Sequence, residues 1–424
     1  MSELSPIKQK PLELVVAWIS HGIRKDSGVD LSTLDGATMA VLVQRLIAAE
    51  VKPGGPYRNE DGVIDESLNL SIAALFRDLE IELPGLENYL AELSMDDVVL
   101  GEQGSYQSQD TTPNDAQVHV NTLLAGYGLP LRREAFRMYE RILTVDRVGE
   151  ISRIAELFGG SLAVRPSCDY ATLGAANLLT WIAYSIYDDF LDEEGEPGML
   201  PAANAAHRDA FMLYTQQAPQ DYRSDCASLF RGMDEANAWE LTACRFAVSD
   251  GIITIGTLPR YGYNTILAKR AAAHILGPLI VMYYAENTKD GVERARSALY
   301  DYLIARQFND DLHDWVEDVA RGHISPVVAY LIKNSNIQNG KQSLESCIEA
   351  MRITFWQTGL VALSNTALHS IERAKSRLIT SGLMSADAPF IKEILQPIHL
   401  SLEKGLRHHA QDHDFYEAYR SRSV

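Results

Sequence analysis

An all-α fold is what this chain predicts, and three observations predict it. Apolar residues recur at three- and four-residue spacing through nearly every segment. Strict apolar–polar alternation, the mark of a half-buried strand, is scarce. At 46% hydrophobic and 22% charged residues, the 424-residue chain has a globular composition and enough length for two domains.

Residues 11–25, 33–51 and 66–80 read as short amphipathic helices, with a Gly/Pro turn at KPGGPYRNEDG. They form a small helical N-terminal unit, 1–100, whose expected role is docking on or capping the rest. Next, GEQGSYQSQDTTPNDAQ (101–117) is polar and carries the Gly, Ser, Thr and Pro of a linker. A main domain at 118–424 follows, with helices expected at 118–128, 132–158, 170–193, 203–216, 226–250, 262–287, 291–320, 324–333, 343–381 and 387–409. The stretch NSNIQNGKQS is expected to be a surface loop. The most apolar stretch, AAAHILGPLIVMYYA, is too short to span a bilayer and is broken by His274, Gly277 and Pro278. No transmembrane segment is expected.

A net charge of -19 excludes nucleic acid as a partner, because a phosphate backbone needs a basic face. It equally disfavours docking on anionic lipid. Cys168, Cys226, Cys244 and Cys347 are scattered, without CxxC or zinc spacing, and read as reduced thiols. The N-terminal MSELSPIKQK has no apolar signal core. A cytoplasmic location is the expectation.

Chemistry concentrates at SIYDDFLDEEG, residues 185–195. Asp188, Asp189 and Asp192 close an apolar helix, where acidic groups oppose the helix dipole. On a wheel of ~100° per residue, Asp188 and Asp192 share a face and Asp189 sits at its edge. Ser185, Tyr184, Trp181 and Asn177 continue that face as a partly aromatic wall. Alone, the motif reads more readily as an acidic helix end in solvent. A second cluster, however, follows at RQFNDDLHDWVEDVARG, residues 306–322. There Phe308, Leu312, Trp315 and Val319 form an apolar stripe. Asp310 and Asp314 leave the opposite side with Gln307 and Leu303, and Asp311 flanks them. Apolar sequence surrounds this helix, so the acidic face is expected to point inward. Carboxylates from two such helices suit Mg²⁺, a hard cation that takes one or two carboxylates, keeps waters and completes its shell with substrate phosphate. Several magnesium ions around one diphosphate is the expectation.

At these residues the chain resembles the class I isoprenoid synthases. Asp188-Asp189-Phe190-Leu191-Asp192 matches their first DDxxD motif. Gln307 to Asp314 looks like the second motif, Q-x-x-D-D-x-x-D, of trans-prenyl diphosphate synthases, with Arg321-Gly322-His323 after it. ILAKRAAAHILGPLI is similar to the helix whose lysine contacts diphosphate, and Lys269 takes that place. The resemblance covers about residues 120–424. It implies an isoprenoid-synthase-type helical bundle around a central cavity, with metals bound by Asp188, Asp189, Asp192, Asp310, Asp311 and Asp314. It further implies an allylic prenyl diphosphate substrate and, by analogy, a possible homodimer. Lys269, Arg260, Arg306 and Gln307 are the candidate diphosphate-binding residues, with Arg270 a further helper. Each arginine could instead be an ordinary ion-paired side chain. Tyr184, Trp181, Ser185 and Leu303 are the candidate pocket wall, where aromatic faces could steady a carbocation or simply pack.

Departures from the pattern separate two activities. Chain-elongating synthases carry a G-G-K-R-x-R-P-like element for a second diphosphate. Here Gly159-Gly160 and Arg165-Pro166 survive without the lysine or first arginine. That favours a terpene synthase, which ionises one substrate and lets the cation cyclise or meet water, with chain elongation using isopentenyl diphosphate as the alternative. A terpene-synthase register at the second motif would use Asn309, His313 and Glu317. Imidazole is a poor magnesium ligand, so the aspartate register is preferred. An HD-type phosphohydrolase using His313-Asp314 with His408, His409 and His413, and a non-enzymatic helical scaffold, are more distant readings.

Overall fold

Two antiparallel pairings of long helices organise the protein, each explained by an apolar stripe meeting another. The computed structural model describes residues 113–146, 149–191, 195–261, 265–286 and 288–420. The N-terminal helices expected at 11–25, 33–51 and 66–80, and most of the expected linker, lie outside the described residues. Two compact units divide the chain, Thr111–Leu406 and a second of Met1–Asp110 with Arg407–Val424. Only the first is followed below, together with the described backbone of the last helix.

In chain order the helices are α1 (Asp115–Ala125), α2 (Leu129–Val145), α3 (Ile154–Ser161), α4 (Tyr170–Leu191), α5 (Leu200–Gln217) and α6 (Arg223–Ala243). Strands β1 (Ala247–Ser249) and β2 (Ile252–Ile255) intervene. Then come α7 (Thr265–Arg270), α8 (Leu276–Glu286), α9 (Lys289–Ala320), α10 (Pro326–Asn334), β3 (Gly340–Ser343), α11 (Leu344–Thr354), α12 (Leu360–Thr380) and α13 (Gln396–Arg420). The first helix is closed by a reciprocal capping box between Asn114 and Gln117. It begins at Asp115, inside the stretch expected as linker.

Helix α4 packs along α5 and against α1, while α9 packs along α12. The α9–α12 seam is pinned by Asp301, whose buried carboxylate pairs with Arg373 at 2.9 Å and Arg377 at 3.0 Å. A large core runs through α3 and α6 to α12, with Phe158, Tyr214, Tyr302 and Phe390 fully enclosed. A smaller one joins α1, α2, α4 and α5 around Tyr139, Leu178 and Ile182. Short helix α7 lies against both α6 and α9, which brings it beside the acidic end of α9. All four cysteines are free thiols, three buried and Cys168 half-buried. Among the described residues no helix is long and apolar enough to cross a membrane.

Several expected elements change: the stretch expected as one helix at 262–287 is divided into α7 and α8, and that expected at 343–381 into α11 and α12. The helix expected at 132–158 breaks, because the Asp146 carboxylate turns forward to accept from the backbone N–H of Ile151 (2.6 Å) and Ser152 (3.0 Å). Such side-chain bonds offer the backbone an alternative to the helical ladder. The helix expected to reach residue 250 stops at Ala243, and a small antiparallel sheet in the order β1-β2-β3 follows. Its first hairpin pairs Ser249 with Ile252 across the two-residue turn Asp250-Gly251, both at positive φ. A D-G pair between strands is the usual sequence signal for this tight turn. Part of the loop expected at NSNIQNGKQS supplies β3.

Candidate active site

The acidic end of α4 divides between two directions, since neighbouring helix residues point ~100° apart. Asp188 is exposed. Asp189 faces α2, where Arg141 Nη1 donates to both its oxygens at 2.9 and 2.8 Å. That gives one expected metal ligand a guanidinium partner on the outer face. Asp192 lies outside the described residues. One turn back, the half-buried Tyr184 hydroxyl donates to Asp234 Oδ1 of α6 at 2.7 Å, and Ser185 is half-buried beside it. Leu303, expected in the pocket wall, is buried in the large core.

On α9 the acidic side expected to point inward is buried only at Asp311; Asp310 is half-buried. Asp311 is buried, with Gln307 Nε2 donating to its Oδ1 at 2.7 Å. Among the described residues its Oδ2 has no hydrogen-bond partner. Burial, then the charge of Asp318, pushes this carboxyl up to about 7. Asp314 lies at the surface and is also raised, by partial loss of hydration first and then by Asp310 and Asp318. One face thus carries four mutually repelling carboxylates: Asp310, Asp311, Asp314 and Asp318. The alternative register points elsewhere: His313 is exposed and bonds its own helix at the Asn309 carbonyl (2.6 Å), and Glu317 is exposed beside Arg321. Asn309 is half-buried.

Tertiary structure adds Glu240, which no local pattern announced, and gives His323, noted after the second motif, its partners. Glu240 of α6, 3% exposed, forms an ion pair with Arg270 of α7. Its other oxygen lies 2.6 Å from His323 Nε2, while His323 Nδ1 meets Asp318 at 3.1 Å. Burial works against the imidazolium, but pairing with Asp318 and Glu240 outweighs it and lifts His323 to about 9. Glu240 is held below the usual range: burial is the largest influence and opposes ionisation, and Arg270 and His323 overcome it. Gly322 makes this turn possible. Its φ is 74°, and a Cβ there would sit 2.3 Å from the Phe246 carbonyl oxygen. Phe246 N–H donates to the Gly322 carbonyl at 2.7 Å, tying the end of α9 to the chain entering β1.

Arg270 feels the charge of both motifs. Burial opposes its charge, but Glu240, then Asp311, then Asp188 raise its pKa above the ordinary value. Carboxylates of α6, α9 and α4 therefore act on one guanidinium. Lys269, the sequence choice for this role, is exposed, as is Arg260. Arg306 is held by Glu150 (Nε, 3.0 Å) and Asp310 (Nη1, 2.9 Å), with its guanidinium 4.9 Å from the centre of the Trp181 ring. The Trp181 face expected to meet a carbocation thus has a guanidinium over it. Arg165, the surviving cation of the G-G…R-P stretch, lies 4.7 Å over the Tyr170 ring and 3.7 Å from Glu156.

Among the described residues, no three His, Cys, Asp or Glu side chains form a ready metal cage. The donors nonetheless fit magnesium, which is held by one or two carboxylates plus substrate phosphate and seldom by an all-protein cage. The donors are carboxylates, they repel one another, and one buried oxygen of Asp311 is unpartnered. Asp188, Asp310, Asp311 and Asp314 are the residues that would hold it.

No protein-family model matches the chain, and no curated protein matches it in sequence. Among solved structures it is similar to geranylgeranyl pyrophosphate synthase from Lactobacillus brevis ATCC 367, with a TM-score of 0.51 and 14% identity. The match covers 69% of this chain and 96% of that one. At this identity the likeness is one of fold: an all-helical isoprenoid-synthase fold.

Proposed function

We propose that the protein is a magnesium-dependent enzyme that ionises one allylic prenyl diphosphate and lets the carbocation cyclise or be quenched by water, as class I terpene synthases do. The observation that carries this reading is Arg270, a half-buried cation acted on by Glu240, by Asp311 of the second motif and by Asp188 of the first. Two acidic motifs 122 residues apart, counted from Asp188 to Asp310, share one electrostatic neighbourhood.

In this reading the allylic C–O bond breaks and its electron pair leaves with the diphosphate. Bound magnesium supplies positive charge to that leaving group. Arg270 is pre-oriented by Glu240 and offers a guanidinium suited to diphosphate oxygens, with Lys269 beside it. Because Glu240 and His323 are already ordered, little reorganisation accompanies charge development. Tyr184 and the apolar α4 wall would shield the cation from water.

A single diphosphate is favoured by the supply of cations. Residues 166–207 contain no lysine or arginine, and Arg165 is engaged by Tyr170 and Glu156. A second diphosphate needs a second basic cradle. Chain elongation is the second reading, supported by the likeness to a geranylgeranyl pyrophosphate synthase.

The test is incubation with geranyl, farnesyl and geranylgeranyl diphosphates and Mg²⁺, with and without isopentenyl diphosphate. Diphosphate release is measured and products are identified by mass spectrometry. Hydrocarbon or alcohol products support the terpene synthase, and longer diphosphates formed only with isopentenyl diphosphate support elongation. No release from any substrate, or full turnover in excess chelator, would sink both. Alanine at Asp310 and Asp314 should lower release on the order of 100-fold, whereas alanine at Asn309 and Glu317 should not; the reverse result would favour the other register.

A further inference from the structure

A buried chain of hydrogen bonds ends on Asp310, and nothing in the ionisation chemistry above uses it. It starts on α4. Asn177 Nδ2 donates to the Ile151 carbonyl at 2.7 Å and also faces His274 Nδ1 at 3.1 Å. Trp181 Nε1 donates to the same Nδ1 at 3.1 Å. A nitrogen receiving donors cannot carry its own proton, so the His274 proton sits on Nε2. That nitrogen faces the Tyr302 hydroxyl at 2.9 Å. With its oxygen accepting from His274, Tyr302 donates to Glu150 Oε1 at 2.6 Å. Glu150 then holds Arg306 Nε at 3.0 Å, and Arg306 Nη1 reaches Asp310 Oδ2 at 2.9 Å. His274 is fully enclosed, and burial, aided by Arg306 and opposed by Glu150, holds it down at about 4, a neutral donor.

The arrangement is more elaborate than an Arg306–Asp310 pair requires. Those residues are four apart on α9 and could pair without help. Instead the guanidinium is divided between two carboxylates and laid over the Trp181 ring. The three side chains also differ in access. Arg306 and Glu150 are 22% and 25% exposed, while Asp310 is 43% exposed. A cation arriving from solvent meets Asp310 first and must compete with Arg306 for it. Glu150 offers Arg306 somewhere to remain when that happens.

We propose that Glu150 is a positioning residue: fixed by Tyr302 and His274, it retains Arg306 and so lets Asp310 release its arginine and turn to a divalent cation. The inference rests on the reading of Asp310 as a metal ligand. Without Glu150 the whole guanidinium charge would fall on Asp310 and the cation would bind less well. Partners behind a metal ligand commonly change affinity by ~10–100-fold when removed.

The experiment measures Mn²⁺ binding to the full chain without substrate, by electron paramagnetic resonance and calorimetry. Wild type is compared with Glu150→Gln, Arg306→Gln, the double variant and Asp310→Asn, all checked for folding by circular dichroism. Glu150→Gln should weaken binding about tenfold. Arg306→Gln should tighten it, and in that background Glu150→Gln should have little effect, because its influence passes through Arg306. Should Glu150→Gln alone fail to fold, Tyr302→Phe removes the hydrogen bond to Glu150 without changing any charge, and should weaken binding in the same direction. Unchanged affinity in Glu150→Gln, or in Tyr302→Phe where that stands in for it, overturns the proposal. So does an equal loss with and without Arg306, which would mean only that a negative charge had gone. Asp310→Asn separates the failures: if it binds Mn²⁺ as wild type does, the metal-site reading falls too.

Discussion

Replacing His323 with glutamine removes the imidazolium that bridges Glu240 and Asp318 through its two ring nitrogens, while keeping a side chain of similar reach. The structure sets the magnitude. Burial opposes the imidazolium, yet its pairing with Asp318 and Glu240 raises its pKa from 6.5 to about 9. At ~1.36 kcal/mol per tenfold change in proton affinity, the folded state holds that proton more tightly by about 3 kcal/mol. The folded value lies above the unfolded one, so this stabilisation is complete below pH ~6.5 and is lost as pH rises through about 9. The assay is urea unfolding of wild type and His323→Gln, followed by far-ultraviolet circular dichroism from about pH 6 to pH 10 at constant ionic strength. Groups that titrate in both proteins cancel in the difference. The wild-type advantage should shrink by about 3 kcal/mol across that range. Parallel stability curves for the two proteins would refute the bridged imidazolium.

Other outcomes follow from the same charges. Glu240→Ala removes the ion-pair partner of Arg270 and leaves His323 with Asp318 alone, and should cost about 3–5 kcal/mol; a melting temperature unchanged within a degree would show that neither depends on Glu240. Asp311, raised to about 7 by burial and Asp318, contributes stability that is present below its unfolded pKa and lost as pH rises through about 7. Asp311→Asn should therefore match wild type near pH 4 and exceed it at pH 8, and millimolar Mg²⁺ should narrow that gap by stabilising wild type. A gap that does not depend on pH would contradict the buried-carboxylate account. Gly322→Ala forces an L residue to φ 74° against the Phe246 carbonyl. It should destabilise by more than ~1–2 kcal/mol and flatten the His323 pH dependence, read by the same unfolding series.

Local pattern carried some of this a long way. The α4 wheel joined Asn177, Trp181, Tyr184 and Asp188, and Asn177 and Trp181 do meet on one imidazole, His274. The α9 wheel separated an apolar stripe, now in the core, from an acidic side whose Asp311 is buried. A wheel reports angles between residues on one helix, however, and says nothing of what lies opposite. Motif position singled out Lys269, and only α6, by placing Glu240 beside Arg270, brings its neighbour into view. The D-G turn at Asp250-Gly251 was readable and was overrun by extending a helix through it.

Helical class, the order of the helices, and two acidic motifs of matching type were determined by the sequence itself. These depend on residue spacing within a turn or two, which one-dimensional order preserves. Which carboxylates lose water, and which cation each then keeps, was decided only in three dimensions. Glu150 and Glu240 sit in unremarkable local sequence, and His274 and His323 stood out only as a break in an apolar stretch and as a basic residue after the second motif. They acquire their charge states from partners brought together from distant helices, because desolvation and Coulomb energy depend on distance through space and on the surrounding medium.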